Sequence, residues 1–539
     1  MPTTDTPAQT FTVTHVPFAK VPQFSNRDVA YVDGDERLRP FYTHPADYAR
    51  FGEVFAQRLE QQPDRELLVS VLREQYDALG HTPEVDRQVE QLLDERTFTV
   101  VTAHQPSLFT GPLYYIFKIV SAIKLAQRIN AEYPDYHVVP VFVSGGEDHD
   151  FEEVNHLNLF GKTVTWQSGE TGSVGRMQTT SLQAVLTEVK EILGDGEHAQ
   201  KIYALLEQTH TAHATYGRAA LALVHELFGH YGLVVLNMDR PALKRAYAPY
   251  IARELFEQPS QALVEAAQQQ LEAAGFSGQA HAREINFFYL QEQSRERIVL
   301  EGDRYRVLNT ELSFTAEALR EEIEAHPERF SPNVVMRPIY QEAILPNLAY
   351  VGGGGELAYW LERKTQFAAF GLPFPMLVRR DSAVWIDKTA AKRMAKLDLT
   401  FTDLLQETED LIKRFVKASS EEELSFKTEK KELARIFEQI AALTKPVDPT
   451  LVKTVKSEMA KTLNSVSQLE KRLMRAEKAK HDTAINQIRS VKEKLFPGNG
   501  LQERTDNFLA FYVRYGDTFI ETLLEHFDPL DKRLVVISE

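Results

Sequence analysis

Residues 137–143, His-Val-Val-Pro-Val-Phe-Val, constrain the fold most, because the run is apolar on both faces. A strand without a polar face must be covered from both sides, as parallel strands are beneath crossover helices. The run empties through Gly145 and Gly146 into Glu147-Asp-His-Asp150, with further acids and His156 close behind. Paired glycines let a chain turn sharply or let a ligand approach the backbone. In open α/β sheets ligands sit beyond the carboxyl ends of the strands, so Glu147, Asp148, His149 and Asp150 stand where a substrate is expected.

The preceding segments complete a unit of the same kind. Phe98 to Thr102 reads as a short buried strand, Ala103 to Pro112 as a loop, and Leu113 to Tyr133 as a helix with Ile116, Ile119, Val120, Ile123 and Leu125 on its apolar stripe. Strand, helix and strand in succession make a right-handed crossover, the start of a Rossmann-like parallel sheet. Leu233 to Leu236 and Phe374 to Val378 have the same buried character, so the expected fold class is α/β, its sheet assembled from distant segments. Between them, short alternating runs at 285–290, 297–300 and 305–308, the last two joined by Glu301-Gly-Asp303, read as a small antiparallel insertion.

From Lys388 to Leu495 the chain turns to Lys, Glu, Ala and Leu and becomes poor in glycine. Val452, Met459, Val466 and Leu473 recur every seven residues, with Val455, Thr462, Leu469 and Ala476 in the companion position. Pro446 and Pro449 separate this helix from one carrying Leu433, Ile436, Ile440 and Leu443, which predicts a long antiparallel α-helical coiled coil suited to dimerisation. The expected organisation is a core over 1–387 with insertions at about 151–230 and 240–333, the coiled coil over 388–495, and a segment over 496–539 packing back on the core.

Composition excludes several classes. Lys and Arg total 61 against 77 Asp and Glu, a net charge of −16, which argues against nucleic acid or an anionic membrane as main partner. Met1 to Pro7 has neither the basic nor the apolar stretch of a secretory leader, and no run approaches the roughly 18 apolar residues of a membrane span. A cytoplasmic protein is expected. With no cysteine, the chain has no disulfide, thiolate metal site or cysteine nucleophile, so a thiol can enter its chemistry only on a substrate.

Three constellations carry candidate chemistry. Thr102 to Lys118 runs from a strand end through a loop into a helix start, where free N–H groups stabilise an anion, and places His104, Gln105, Thr110, Gly111, Tyr114 and Lys118 nearby. The acidic cluster with His156 offers oxygen and imidazole ligands, but its spacing fits no zinc pattern, so no metal site is expected. Its carboxylates suit the orientation of substrate amines or hydroxyls, with His149 as candidate general base and Asn155 beside it. In the third, Arg337, Tyr340 and Gln341 precede four glycines, 352 to 355, and then Glu356 and Tyr359; Gly353, Gly354 and Gly355 form a loop able to wrap an anion. Arg337, with Arg379 after the strand at 374–378, could grip a dicarboxylate or phosphate.

Three stretches together, His104 to Tyr114, Gly146 to His156 and Arg337 to Glu342 through Gly355 to Trp360, resemble the bacillithiol-biosynthesis cysteine-adding enzymes, the BshC family. The resemblance continues through Leu495 to Arg504 and Phe527 to Asp531, hence along essentially the whole chain. It implies a Rossmann-like core with inserted segments, a dimerising coiled coil, and ligation of L-cysteine to the amine of glucosaminyl malate. The chain departs from the family pattern twice, with Thr102-Ala-His-Gln105 for Thr-Gly-Gln-Gln and Gly352-Gly-Gly-Gly-Glu356 for Gly-Gly-Pro-Gly-Glu. Amide formation from a free carboxylate is uphill in water, so ATP or another nucleotide is the expected activator. Two other readings stay open: a nucleotidyltransferase or amino-acid-activating synthetase acting on another small molecule, and a non-catalytic coiled-coil scaffold.

Overall fold

A computed structural model describes residues 10–420 and 425–539; the stretch Met1 to Pro7 and part of the expected coiled-coil region lie outside the described residues. The chain divides into two compact units, one comprising Val13–Val384 with Leu501–Ile537, the other built mainly from Trp385–Gly500.

The larger unit is organised by five parallel strands: β1 (Thr97–His104), β2 (His137–Ser144), β3 (Val234–Asn237), β4 (Asn347–Gly352) and β5 (Met376–Arg379), in spatial order β5-β4-β1-β2-β3. The helix α1 (Tyr114–Glu132) connects β1 to β2, which pair in continuous register from Thr97 opposite His137 to His104 opposite Ser144. One face buries Phe98, Val100, Val138, Leu348, Val351 and Met376 against Ala122, Leu125 and Ile129 of α1 and against Phe51 and Phe55. Each such side chain, fully removed from water, contributes about 1.5–3 kcal/mol before entropy is counted. The connection from β1 leads to β2 on one side while β4 occupies the other, which makes the carboxyl ends of β1 and β4 a topological switch point.

The Rossmann-like sheet thus has the class expected from the sequence, with one strand unanticipated. Asn347-Leu-Ala-Tyr-Val-Gly352, taken as the approach to a glycine loop, is a fully buried strand near the middle of the sheet. The antiparallel insertion is also present: Phe287–Leu290, Arg295–Glu301 and Arg304–Val307 form a meander, extended by Ser313–Phe314 at one edge and Phe330–Pro332 at the other. The helices α2 (Pro241–Glu257), α3 (Arg337–Ile344) and α4 (Gly354–Trp360) complete the surroundings of the site. The segment after Gly500 threads through the same unit: Asn507 donates to the carbonyls of Phe109 and Gly111 at 3.0 and 2.6 Å.

In the other unit, α5 (Lys427–Thr444) and α6 (Leu451–Lys480) pack antiparallel, Lys430 near the start of α5 meeting Glu470 far along α6 at 2.5 Å. Helices 388–396, 401–404 and 408–419 precede this hairpin, and 482–495 follows it, so the helical region is more than two long helices. Val452, Met459, Val466 and Leu473 are half-buried along the seam as their spacing predicts. On α5 the half-buried positions include the expected Leu433 together with Ala434, Phe437 and Ala441, whereas Ile436, Ile440 and Leu443 are 46%, 41% and 75% exposed. Two helices can cover only one side of each other, and these residues face away from the seam.

Candidate active site

Loops leaving β1, β2, β4 and β5 and the start of α3 converge on a cavity of about 420 Å³. At Gly145 an added Cβ would lie 3.6 Å from the His104 carbonyl oxygen, an ordinary contact, so the turn after β2 does not itself demand glycine. Gly146 packs on Gly175, where a Cβ built on the latter would come within 2.8 Å of Gly146 Cα, so this glycine serves backbone contact. Likewise a Cβ on Gly354 would strike the Asp28 carboxylate at 2.4 Å, and that position packs against the N-terminal helix at 26–33.

One wall is acidic. Asp148 accepts from Gln105 Nε2 at 2.6 Å and from its neighbour's backbone N–H at 2.8 Å, and pairs with Arg295 at 3.4 Å. Burial alone would raise its pKa, but Arg295 and these hydrogen bonds hold it below the usual carboxylate range. Glu147 is gripped by Lys244 of α2, yet burial outweighs the cation and pushes its pKa up. Arg295, at the start of an insertion strand, stacks over Phe288 at 3.9 Å and donates to Ser331 Oγ and the Pro332 carbonyl. The insertion therefore supplies one side of the cavity.

Other residues of the lining are cationic. Arg337, the first residue of α3, donates to Tyr359 Oη at 3.0 Å and forms no carboxylate ion pair within 4.0 Å among the described residues. Arg380 is buried against Glu503 at 2.7 Å, with its Nε lacking a protein partner. Glu356 is saturated: Lys118 Nζ and Tyr350 Oη donate to Oε1 at 2.8 and 2.7 Å, and the Gly353 N–H to Oε2 at 2.9 Å. Burial would raise its pKa, but Lys118 and those donors bring it down to about 2. Glu356 thus clamps the glycine loop between β4 and α4.

The cavity gathers His104, Gln105, Tyr114, Glu147, Asp148, Arg337, Gly353, Gly355, Glu356 and Tyr359 of the sequence candidates. Asp148 and Arg337, nearly two hundred positions apart, share its lining.

Other candidates lie outside it, for identifiable reasons. His149 and Asp150 are exposed beyond the lining, and His149 Nδ1 is turned to Arg295 at 2.9 Å. Asn155 uses its carbonyl to hold the Trp166 N–H in the following hairpin, at 2.7 Å. Thr110 and Gly111 form a buried turn with positive φ beneath Asn507, while Lys118 lies behind the wall on Glu356. Tyr340 and Gln341 point into the core, where they bond the Met238 carbonyl at 2.7 Å and Glu342 at 3.0 Å. Gly354 is turned to Asp28. Arg379 forms a buried pair with Asp28 at 2.9 Å beside a separate hollow, and its neighbour Arg380 reaches the site instead, as alternation along a strand dictates.

Sequence reasoning missed Arg295, Arg380, Arg504, Glu153, Gln279 and Asn333, all in the lining. Glu153 belonged to the acidic run already singled out and Arg504 closed a stretch of the family resemblance; Arg295 carried no motif of its own. Among the described residues, no group of three or more His, Asp or Glu side chains is arranged to hold a metal ion.

A Rossmann-like sheet with a polar, charge-sorted cavity at its switch point defines a protein of small-molecule binding or catalysis. Two family models account for nearly the whole chain: "Bacillithiol biosynthesis BshC, N-terminal Rossmann-like domain" over residues 12–381 and "Bacillithiol biosynthesis BshC, C-terminal coiled-coil domain" over residues 383–539. The chain belongs to the BshC family, as its motifs had indicated. A relative from Flavobacterium psychrophilum, named "Putative cysteine ligase BshC", is 37% identical over 97% of this chain and 99% of its own. Relatives of the same name from Cytophaga hutchinsonii and Salinibacter ruber are 37% and 31% identical, covering 96% and 94% of this chain and 97% and 95% of theirs.

Proposed function

We propose that this protein is an ATP-dependent ligase that joins L-cysteine to the amine of glucosaminyl malate, releasing a low-molecular-weight thiol. One observation carries the reading: a single cavity is lined both by Arg337 and Arg380 and by the hydrogen-bonded Gln105–Asp148 pair. Arg337, which has no carboxylate ion pair among the described residues, suits the malate carboxylates or the phosphates of a nucleotide, and Arg380, paired with Glu503, adds positive charge to the same lining. Asp148, ionised and oriented by Gln105 and Arg295, suits a substrate amine or sugar hydroxyl. A volume of about 420 Å³ falls within the range of small-molecule sites.

In the reaction the cysteine carboxylate is activated by the nucleoside triphosphate. The sugar amine then attacks the acyl carbon, a C–N bond forms, the acyl–oxygen bond breaks, the phosphate-bearing oxygen leaves with the electron pair, and the proton lost by the amine nitrogen passes to that departing phosphate. Asp148 orients the amine, and Arg337 and Arg380 oppose the charge on the departing oxygen. His149, exposed outside the lining, is not assigned the proton transfer.

No helix among the described residues is long and apolar enough to cross a membrane, which suits a cytoplasmic enzyme. The outward-facing Ile436, Ile440 and Leu443 of α5 support a homodimer formed through the coiled coil. The test is direct: purified protein, ATP, Mg²⁺, L-cysteine and glucosaminyl malate should give a thiol at the summed substrate mass less one water. Nucleotide turnover with cysteine that needs no sugar amine would favour an amino-acid-activating synthetase of another pathway.

A further inference from the structure

Beside the main cavity lies a second, smaller and more enclosed space of about 70 Å³. His104, Tyr114, Glu153 and Arg504 border both, and Ser107 and Thr505 help close the far side of the annex. A water needs roughly 10–15 Å³ on the same measure, so the annex holds about five water-sized groups, too few for a sugar ring.

The lining has a defined polarity. His104 Nδ1 lies 2.9 Å from the Gln105 carbonyl oxygen. A carbonyl only accepts, so the ring proton is on Nδ1 and Nε2 presents a bare lone pair. Burial, reinforced by nearby Lys118, brings the His104 pKa down to about 4, which keeps that lone pair available at neutral pH. Tyr114 and Tyr115 flank the ring at 5.5 and 5.1 Å and fix its plane. Glu153, an exposed residue whose carboxylate borders the annex, has no ion pair within 4.0 Å among the described residues; partial desolvation, then Asp150 and Asp148, hold its pKa above the ordinary range, and a cation beside it would relieve that repulsion.

We propose that this annex is the amino-acid subsite, Glu153 facing the ammonium of L-cysteine and His104 Nε2 accepting its S–H. The inference rests on the ligase reading and deepens it. The Cα, Cβ, Sγ and amine nitrogen fill the annex, while the carboxylate projects into the main cavity, where activation and attack occur. His104 is here a specificity-determining residue, which distinguishes a thiol donor from the isosteric methyl of L-2-aminobutyrate.

Titration calorimetry on the full chain, with reductant, Mg²⁺ and a non-hydrolysable ATP analogue, tests this. His104→Ala and the annex-filling Thr505→Tyr should each weaken L-cysteine binding about tenfold or more, equivalent to about 1.4 kcal/mol. His104→Gln, whose amide oxygen can accept in place of Nε2, should stay within about threefold of wild type, on the same scale. His104→Ala should also lose the wild-type preference for L-cysteine over L-2-aminobutyrate. Thr505→Tyr should bind glucosaminyl malate as wild type does; if that variant fails to fold, the His104 pair decides. L-Cysteine affinity unchanged in His104→Ala, with thiol formation intact in wild type, would overturn the annex and leave the ligase reading standing. A wild-type protein that binds neither L-cysteine nor glucosaminyl malate would overturn both.

Discussion

Replacing Lys118 by Met isolates what holds the glycine loop in place. The lysine side chain is 1% exposed and Glu356 24% exposed, at 2.8 Å. Depression of the Glu356 pKa from 4.5 to about 2 corresponds to roughly 3 kcal/mol of stabilisation of the folded state. Because the folded-state pKa lies below the unfolded one, that stabilisation is complete above about pH 4.5 and is lost as pH falls toward 2. Burial also holds the Lys118 pKa below its ordinary value, so the charged lysine costs stability and the pair's net worth is smaller than the carboxylate's gain. Lys118→Met removes the gain and leaves a buried carboxylate, which costs about 3–5 kcal/mol. Urea denaturation at pH 7, followed by the fluorescence of buried Trp360, should show a loss of that size, and Lys118→Met/Glu356→Leu should recover most of it. A single variant within about 0.5 kcal/mol of wild type, the usual scatter of neutral surface changes, would refute the clamp.

Asp148→Asn should abolish thiol formation with the unfolding midpoint little changed, because the amide keeps shape but not charge; full turnover would remove Asp148 from the chemistry. Arg337→Ala should raise KM for glucosaminyl malate more than it lowers kcat, and unchanged saturation behaviour would contradict a substrate-gripping role. Burial raises the pKa of Asp381 from 3.8, and of Glu254 and Glu342 from 4.5, each to about 7. Their protons are lost first from the unfolded chain, so stability should fall as pH rises from about 4 to 7 and level off above, with Glu342→Gln shallowing the slope in a pH series of denaturation midpoints. Arg379→Met should destabilise the protein through the orphaned Asp28, yet leave kcat/KM per folded molecule unchanged, since Arg379 lies outside the cavity.

The sheet was legible because parallel strands need apolar side chains on both faces, and 97–104 and 137–144 provide them. The strand Asn347–Gly352 was not, because its four-glycine exit drew attention to a loop. Those glycines proved to serve packing in part, Gly354 against Asp28, a contact separated by more than three hundred residues and invisible to any local pattern. Residues lining the candidate cavity were anticipated where they leave a strand end or start a helix, as with Gln105, Asp148 and Arg337, and not where an insertion or the C-terminal segment delivers them, as with Arg295 and Arg504. Arg380 lines the candidate cavity where Arg379 does not, a difference of one position, enough in extended backbone to reverse the side-chain direction. Lys118 and Tyr340 share the cavity's motifs but point behind it, a distinction that depends on helix phase against the sheet.

A crystal of the protein grown with glucosaminyl malate bears most directly on this arrangement. The malate carboxylates should lie within hydrogen-bond reach of Arg337, and the sugar amine toward Asp148, inside the one cavity. Density for the ligand in the separate hollow beside Arg379, with the Asp148–Arg337 cavity holding only solvent, would contradict it.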